Sequence, residues 1–428
     1  MDCHFNFKES NKSWINLGNI CNIKRGKFTF RPRNAPHLYD GKYPFLQTGN
    51  ISKVNDTNDK VEFSQTLSDE GLKVSRLEKE KCVLMTIAAN IGDTAILDYP
   101  ACFPDSLVSI KPKDGRTSVE FLNYLLKFFR QQLIDNAPQV AQKNITLPDI
   151  ENLLIPLPPL PVQVELVELM DTAYNLKKTK ETEAKKILDS IDDYVMSELG
   201  IDKAEEKVEK KNFAVKVGSL FGNRIDPGYQ LESKIIHKSL TKISDIAKIQ
   251  GGYAFKSDEY TENGVPLVRI QSIKANGSIE ISNDVCISNE KTEQLSRFLL
   301  AKNDILIAMT GATIGKIGMV DEGLPAFLNQ RVGRFLLDKN LVTRKFLYNI
   351  LQLQFFQIQI QKLSLGGAQP NISPASIESI QIPLPPLPIQ NKIATEVTVR
   401  RARAKELQIE ARQILETAKD EFEQKICD

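Results

Sequence analysis

Ile155-Pro-Leu-Pro-Pro-Leu-Pro-Val-Gln163 returns almost letter for letter 227 residues later as Ile382-Pro-Leu-Pro-Pro-Leu-Pro-Ile-Gln390. The offset is just over half of the 428 residues, so the chain reads as one unit written twice. Proline fixes φ and lacks an N–H, which suits Pro161 and Pro388 to the first turn of a helix, where no intrahelical acceptor is needed. The stretch is then a rigid elbow between a globule and a helix. A PxxP ligand for a partner module is the alternative. The flanking Ile and Leu residues favour the elbow.

Working outward, the same grammar recurs on both sides. Leu17 to Gly26 matches Ile243 to Gly252, Pro44 to Ile51 matches Pro266 to Ile273, and Lys81 to Gly92 matches Asp304 to Gly315. Ser118 to Leu122 matches Thr343 to Leu347, and Ala141 to Thr146 matches Ala368 to Ser373. Short apolar runs such as Lys81 to Ile87 and Thr94 to Leu97, punctuated by Gly and Asn, predict strands. Tyr43 to Ser52 also reads as a strand, leaving toward a polar loop from Lys53 to Lys60. From Ser118 the period changes, and Phe121, Leu122, Leu125, Leu126 and Phe129 mark one face of a helix to about Leu133.

After each elbow the pattern lengthens. Leu166, Met170, Ala173, Ala184, Ile187, Ile191 and Tyr194 recur along one segment, and Ile393, Val397, Ala404, Leu407, Ala411, Ile414, Ala418 and Phe422 along the other. Steps of three and four are a coiled-coil seam. Ile187, Ile191, Ile414 and Ala418 are the expected helix-pairing residues. The expected fold is α+β: two β-rich domains related by an internal repeat, joined by two long antiparallel coiled-coil helices. The boundaries fall at 1–157, 158–212, 213–384 and 385–428, the second and fourth being helical spacers.

Composition sets outer limits. A chain with 41% hydrophobic and 26% charged residues can bury more than one core. A net charge of +2 says little about partners, because a basic face can be balanced by acidic helices elsewhere. The six cysteines lack paired spacing, which fits reduced thiols and a cytoplasmic protein. His4, His37 and His237 lie far apart and read as incidental. No signal peptide is legible, and no stretch approaches ~18 apolar residues, so the expectation is a protein neither secreted nor membrane-spanning.

Lys24, Arg25, Lys27, Arg31 and Arg33 are interleaved with Phe28 and Phe30, without an acid among them. Cations for a phosphate backbone with flat rings between them suit a nucleic-acid loop, although a solvated charged loop reads the same way. Arg269 and Gln271, two apart on an expected strand whose other face is Val268 and Ile270, would point together toward DNA. Arg can fork onto guanine and Gln onto adenine. Gln47 stands where the second unit has Arg269, so the two half-sites are expected to differ.

Two diverged β-rich units, each followed by Pro-Leu-Pro-Pro-Leu-Pro-x-Gln and a long helix, resemble the specificity subunit of Type I restriction-modification systems. The likeness covers nearly the whole chain. It includes the Thr310 to Lys316 turn, the Asn329-Gln330 step, the Gln-x-Asn-Ile loops at Gln142 to Ile145 and Gln369 to Ile372, and Arg224 to Pro227. The first unit departs from it, with Ala88 to Gly92 for the glycine turn and Pro104-Asp105 for Asn329-Gln330.

The resemblance implies a non-catalytic reader of double-stranded DNA, with each target-recognition domain taking one half of a split sequence. The helices would set the spacing and dock two methyltransferase subunits, and an ATP-driven restriction subunit can join. No cofactor is expected on this chain; S-adenosylmethionine belongs to the methyltransferase. Base contacts are expected from Gln47, Thr48, Asn50, Arg269, Gln271, Asn329 and Gln330, and phosphate contacts from Lys24, Arg25, Lys27, Arg31, Arg33, Lys256 and Lys316. No metal site is expected.

Catalytic motifs are missing from the sequence. Both Pro-Pro pairs are preceded and followed by Leu, unlike the Asn/Asp-Pro-Pro-aromatic loop of an adenine methyltransferase. Gly311 to Lys316 is one residue short of a phosphate loop, and Ile317 replaces its Ser/Thr. Pro104-Asp105 is not followed by the acidic-x-Lys triplet of a metal-dependent nuclease. The recognition subunit of a bifunctional cutting and methylating system, and a coiled-coil scaffold that does not bind DNA, are the rival readings.

Overall fold

The computed structural model describes residues 14–30, 32, 34–88, 90–135, 145–201, 240–321, 325–364 and 371–427. Two compact units emerge: one takes the chain up to Ala184 and from Lys405 onward, the other runs from Lys185 to Ala404.

In the first unit one sheet has the order Cys21–Arg25, Leu107–Pro112, Cys82–Thr86, Thr94–Leu97, with every pairing antiparallel. Cys82 to Thr86 is wholly buried, as the unbroken apolar run from Cys82 to Met85 requires. A second sheet has the order Gln65–Leu67, Tyr39–Phe45, Ala101–Cys102, Leu77–Glu78. Val119–Phe128 packs its apolar face into the core, capped by Ser118, whose Oγ accepts from the Phe121 N–H at 3.1 Å.

The second unit repeats this plan. Ala247–Gly251, Val332–Leu337, Ile305–Ala308 and Ile317–Met319 form its first sheet in the same order. Tyr260–Thr261, Cys286–Ile287, Val265–Val268 and Phe327–Leu328 form the other. The three strands common to the second sheets keep their pairing; only the edge strand differs. The duplication seen in the letters is thus a duplication of strand order.

Each elbow is built alike. A short strand, Leu154–Pro156 or Gln381–Pro383, pairs antiparallel with the first described strand of its unit, Trp14–Asn16 or Leu240–Lys242. The chain then turns through the prolines into Leu160–Glu198 or Leu387–Cys427, helices of 39 and 41 residues. Pro161 and Pro388 are each second in their helix. The glutamine that closes the motif locks the corner. Gln163 is buried, and its Nε2 donates to Pro158 O at 2.9 Å and Arg116 O at 2.8 Å. Gln390, also buried, donates to Pro385 O and Leu341 O at 2.9 Å, and its Oε1 accepts from the Thr343 N–H at 2.9 Å.

The long helices pair within both units. In the second, Lys392 Nζ meets the Glu198 carboxylate at 2.8 Å and Arg400 Nη1 meets Ser190 Oγ at 3.0 Å. Eight residues back on one helix match eight forward on the other, so the pair is antiparallel. In the first unit Lys180 pairs with Glu410, and Leu166, Met170 and Ala173 share a core with Leu415, Ala418, Phe422 and Ile426.

Several local expectations are corrected. Tyr43 to Ser52 is not one strand: the strand ends at Phe45 and a helix covers Thr48–Asn55, which takes Lys53 to Asn55 from the expected polar loop and leaves Asp56 to Lys60 outside any helix or strand. Arg269 and Gln271 do not lie on a strand, because the strand stops at Val268 and a 3-10 turn spans Ile270–Ser272. Phe28 is a core residue, 2% exposed among Leu38, Phe45, Leu67 and Cys102, and is not a ring offered to DNA. Ile414 is only partly buried, because the stripe advances by four from Ala411 to Leu415 before reaching Ala418. Ile187 is half-buried, while Ala184 and Ile191 carry the seam on either side.

Candidate nucleic-acid interface

In each unit, segments distant in sequence are laced together by backbone hydrogen bonds where the two sheets meet. In the second unit, Gly252 N–H donates to Val332 O and Tyr253 N–H to Leu328 O; Gln330 N–H donates back to Tyr253 O at 3.0 Å. Asn329 N–H reaches Val268 O, Met309 N–H reaches Arg331 O, and Ile372 N–H reaches Met309 O. This lacing holds together the turn after Val268 with Arg269 and Gln271, the Thr310 to Lys316 turn, the Asn329 to Arg331 turn and Asn371.

The first unit is laced in the same way. Gly26 N–H donates to Leu107 O, Lys27 N–H to Phe103 O, Leu46 N–H to Cys102 O, Ile87 N–H to Ser106 O, and Ile145 N–H to Ile87 O. Glycine is required at the crossing in both units. A Cβ on Gly26 would lie 2.1 Å from Pro104 O, and one on Gly252 would lie 2.3 Å from Asn329 C. Gly92 and Gly315 hold φ near +80° in matching turns, at 79° and 82°.

The frame is shared but the side chains on it are not. Where the first unit places Lys27, Gln47, Asp105 and Ser106, the second places Tyr253, Arg269, Gln330 and Arg331. Gln47 and Arg269 hold the same post, each capping the turn that follows: the Gln47 N–H donates to Asn50 Oδ1 at 2.8 Å, the Arg269 N–H to Ser272 Oγ at 3.2 Å. A constant backbone carrying changed hydrogen-bonding groups can read different base edges without refolding.

Individual expectations fare unevenly. Gln47, Gln271 and Gln330 are exposed; Thr48 and Arg269 are half-exposed. Asn329 is 8% exposed, and its Oδ1 accepts from the Arg331 N–H at 3.2 Å, so it shapes its turn rather than facing a ligand. Asn50 is similarly committed: besides holding the Gln47 N–H, its Nδ2 donates to Glu62 O at 2.9 Å. Lys24, Arg25 and Lys27 are exposed, and Arg25 Nε donates to Asp105 O at 2.6 Å. Lys256 is exposed and Lys316 half-buried. Arg31 and Arg33, and the segments Gln142 to Asn144, Gln369 to Pro370 and Arg224 to Pro227, lie outside the described residues.

Ile191 belongs to the second unit's core, whereas Ile414 and Ala418 pack in the first unit's. Exposed Arg331 and Arg76, the latter donating through Nη2 to Arg25 O, are site residues that the sequence reading does not include. The Asn-Gln-Arg run at 329–331 carried a signal for the first; nothing local marked the second.

One half-buried cation stands behind the first unit's framework. Lys127 Nζ donates to Asn55 O at 2.6 Å and sits 5.3 Å from the centre of the Tyr174 ring. Burial pushes its pKa down to about 8, against a smaller opposing pull from Asp56. Beside it, Asn58 Nδ2 donates to the Tyr124 hydroxyl at 2.7 Å, and that hydroxyl donates to Asp171 on the long helix.

Among the described residues, Cys21, Cys82, Cys102, Cys286 and Cys427 are free thiols. No group of three or more His, Cys, Asp and Glu side chains among them is placed to hold a metal ion, and no helix is long and apolar enough to cross a membrane.

A family model described as the Type I restriction modification DNA specificity domain matches residues 10–188 and 238–403. The Type I restriction enzyme MjaVIII specificity subunit of Methanocaldococcus jannaschii is 24% identical, over 91% of this chain and 87% of that one. A structure from work on complex assembly and conformational transition of the type I R-M system shares the fold with a TM-score of 0.60, at 15% identity over 97% of this chain and 96% of that one. The Type-I restriction-modification system S subunit from M. genitalium matches with a TM-score of 0.50, at 15% identity over 98% and 97%.

Proposed function

Because the chain belongs to the Type I restriction modification DNA specificity family, we propose that each of its units reads one half of a split duplex target through the laced loops described above. The observation that carries this is the pairing of one backbone frame with two different sets of side chains. Exposed Lys24, Arg25 and Lys27 supply phosphate contacts that position the first unit without choosing sequence. Gln47 on the first frame, and Arg269, Gln271, Gln330 and Arg331 on the second, supply the base-edge groups. Two short readings on one chain multiply specificity, since mismatch costs at separate positions roughly add.

The long helices fix the gap between the halves and dock two methyltransferase subunits, with a restriction subunit joining them. On this reading the chain is a cytoplasmic, non-catalytic reader without a cofactor of its own, and S-adenosylmethionine is used by the methyltransferase. Arg331→Ala in the assembled complex tests the division of labour. Preference should relax at one position of one half, by about 1–3 kcal/mol. Relaxation in both halves together would reject it.

A further inference from the structure

Gln47 does not act alone on the first frame. Its Nε2 donates to Gln65 Oε1 at 2.5 Å, and both side chains are exposed. Gln65 lies opposite Phe45 in the strand ladder and borders an open cleft shared with Tyr39, Asp40, Phe63 and Thr66. Asn50 braces both sides of the pair, taking the Gln47 N–H on one atom and holding Glu62 O with the other.

A carboxamide carries two donor hydrogens and two acceptor lone pairs. One shared bond uses a single hydrogen of one amide and a single lone pair of the other. The joined pair keeps donors and acceptors side by side, and exchanging O and N in both amides preserves that pattern. Adenine presents the complement in the major groove, an acceptor at N7 beside a donor at N6.

We infer that Gln47 and Gln65 form one adenine-reading unit in the first half-site, an inference that rests on the DNA-reading role proposed above. The second unit makes the contrast. Arg269 stands at the place of Gln47, and Val285, whose carbonyl accepts from the Leu267 N–H, stands at the place of Gln65. A guanidinium beside an apolar side chain offers donors only, which suits the two acceptors of guanine.

The test selects duplexes from a pool randomised at every position, using the full chain assembled with the methyltransferase subunits of its own system. Gln65→Leu should cost about tenfold in preference at one A·T position of one half and leave the other half unchanged. Gln47→Leu should relax the same position, and the double variant should lose little more than either single one. Gln65→Glu, an exposed change that keeps the shape, should move that position from adenine toward cytosine, whose N4 amine needs an acceptor. Unchanged preference in the Gln65 variants would overturn the pair while leaving DNA reading intact. A wild-type complex that selects no sequence would overturn the reading beneath it.

Discussion

Gln390→Ala should destabilise the second unit by about 4 kcal/mol, and more than Gln163→Ala destabilises the first. The Gln390 side chain is fully buried and serves three backbone groups: Thr343 N–H, Leu341 O and Pro385 O. Stranding a buried polar group costs at least ~1 kcal/mol, so three give about 3. Loss of buried methylene surface adds about 1 more. Gln163 serves two carbonyls, and its own Oε1 is buried without a partner among the described residues, so less is lost there. The gap should be roughly 1–2 kcal/mol. Denaturant unfolding of the full chain, with hydrogen exchange at Thr343 and at Leu347, whose N–H donates to Thr343 O, reporting on the second unit, measures both. Equal losses, or a Thr343 amide still protected in Gln390→Ala, would refute the claim that this side chain locks the corner.

Three further outcomes follow from the same structure. With Lys127 held near 8 against its usual 10.5, the folded chain carries fewer protons than the unfolded one between those values, so this residue's contribution to stability rises as pH climbs from about 8; Lys127→Met should flatten that rise and add roughly 1–2 kcal/mol at pH 7, read by thermal unfolding of both proteins across pH. Gly252→Ala forces a Cβ into the Asn329 backbone and should erase preference in one half-site while sparing the other, as judged by selection from randomised duplexes. Replacing Lys24, Arg25 and Lys27 together by Gln should weaken binding to every sequence alike and reduce the log–log salt slope by up to about 3, roughly one for each phosphate that is no longer neutralised; an unchanged slope would show that these cations do not meet the backbone.

The letters gave away the architecture because duplication and burial leave long patterns. Val83 to Met85 had to be an interior strand, and Phe121, Leu122, Leu125 and Leu126 had to line a helix. The loops were harder. Gln47-Thr-Gly-Asn50 has little intrinsic helix preference, and the turn that starts there depends on Asn50 folding back on the Gln47 N–H. Arg269 looked like a strand residue because Val268 and Ile270 flank it, yet the Ser272 hydroxyl ends the strand by taking its N–H. The position of Phe28 is hidden from its local sequence for a different reason. Its burial is created by Leu38, Phe45, Leu67 and Cys102, none of them a sequence neighbour. Gln65 was invisible as a site residue, since only strand pairing brings it to Gln47.

Two similar frames, differently decorated, should each grip their own short run of bases. Sequencing the duplexes retained by the wild-type complex from a fully randomised pool tests this most directly. Two specified runs of unlike sequence, separated by a fixed stretch with no preference, are the predicted result. A single continuous run, or two runs whose separation varies freely, would contradict it.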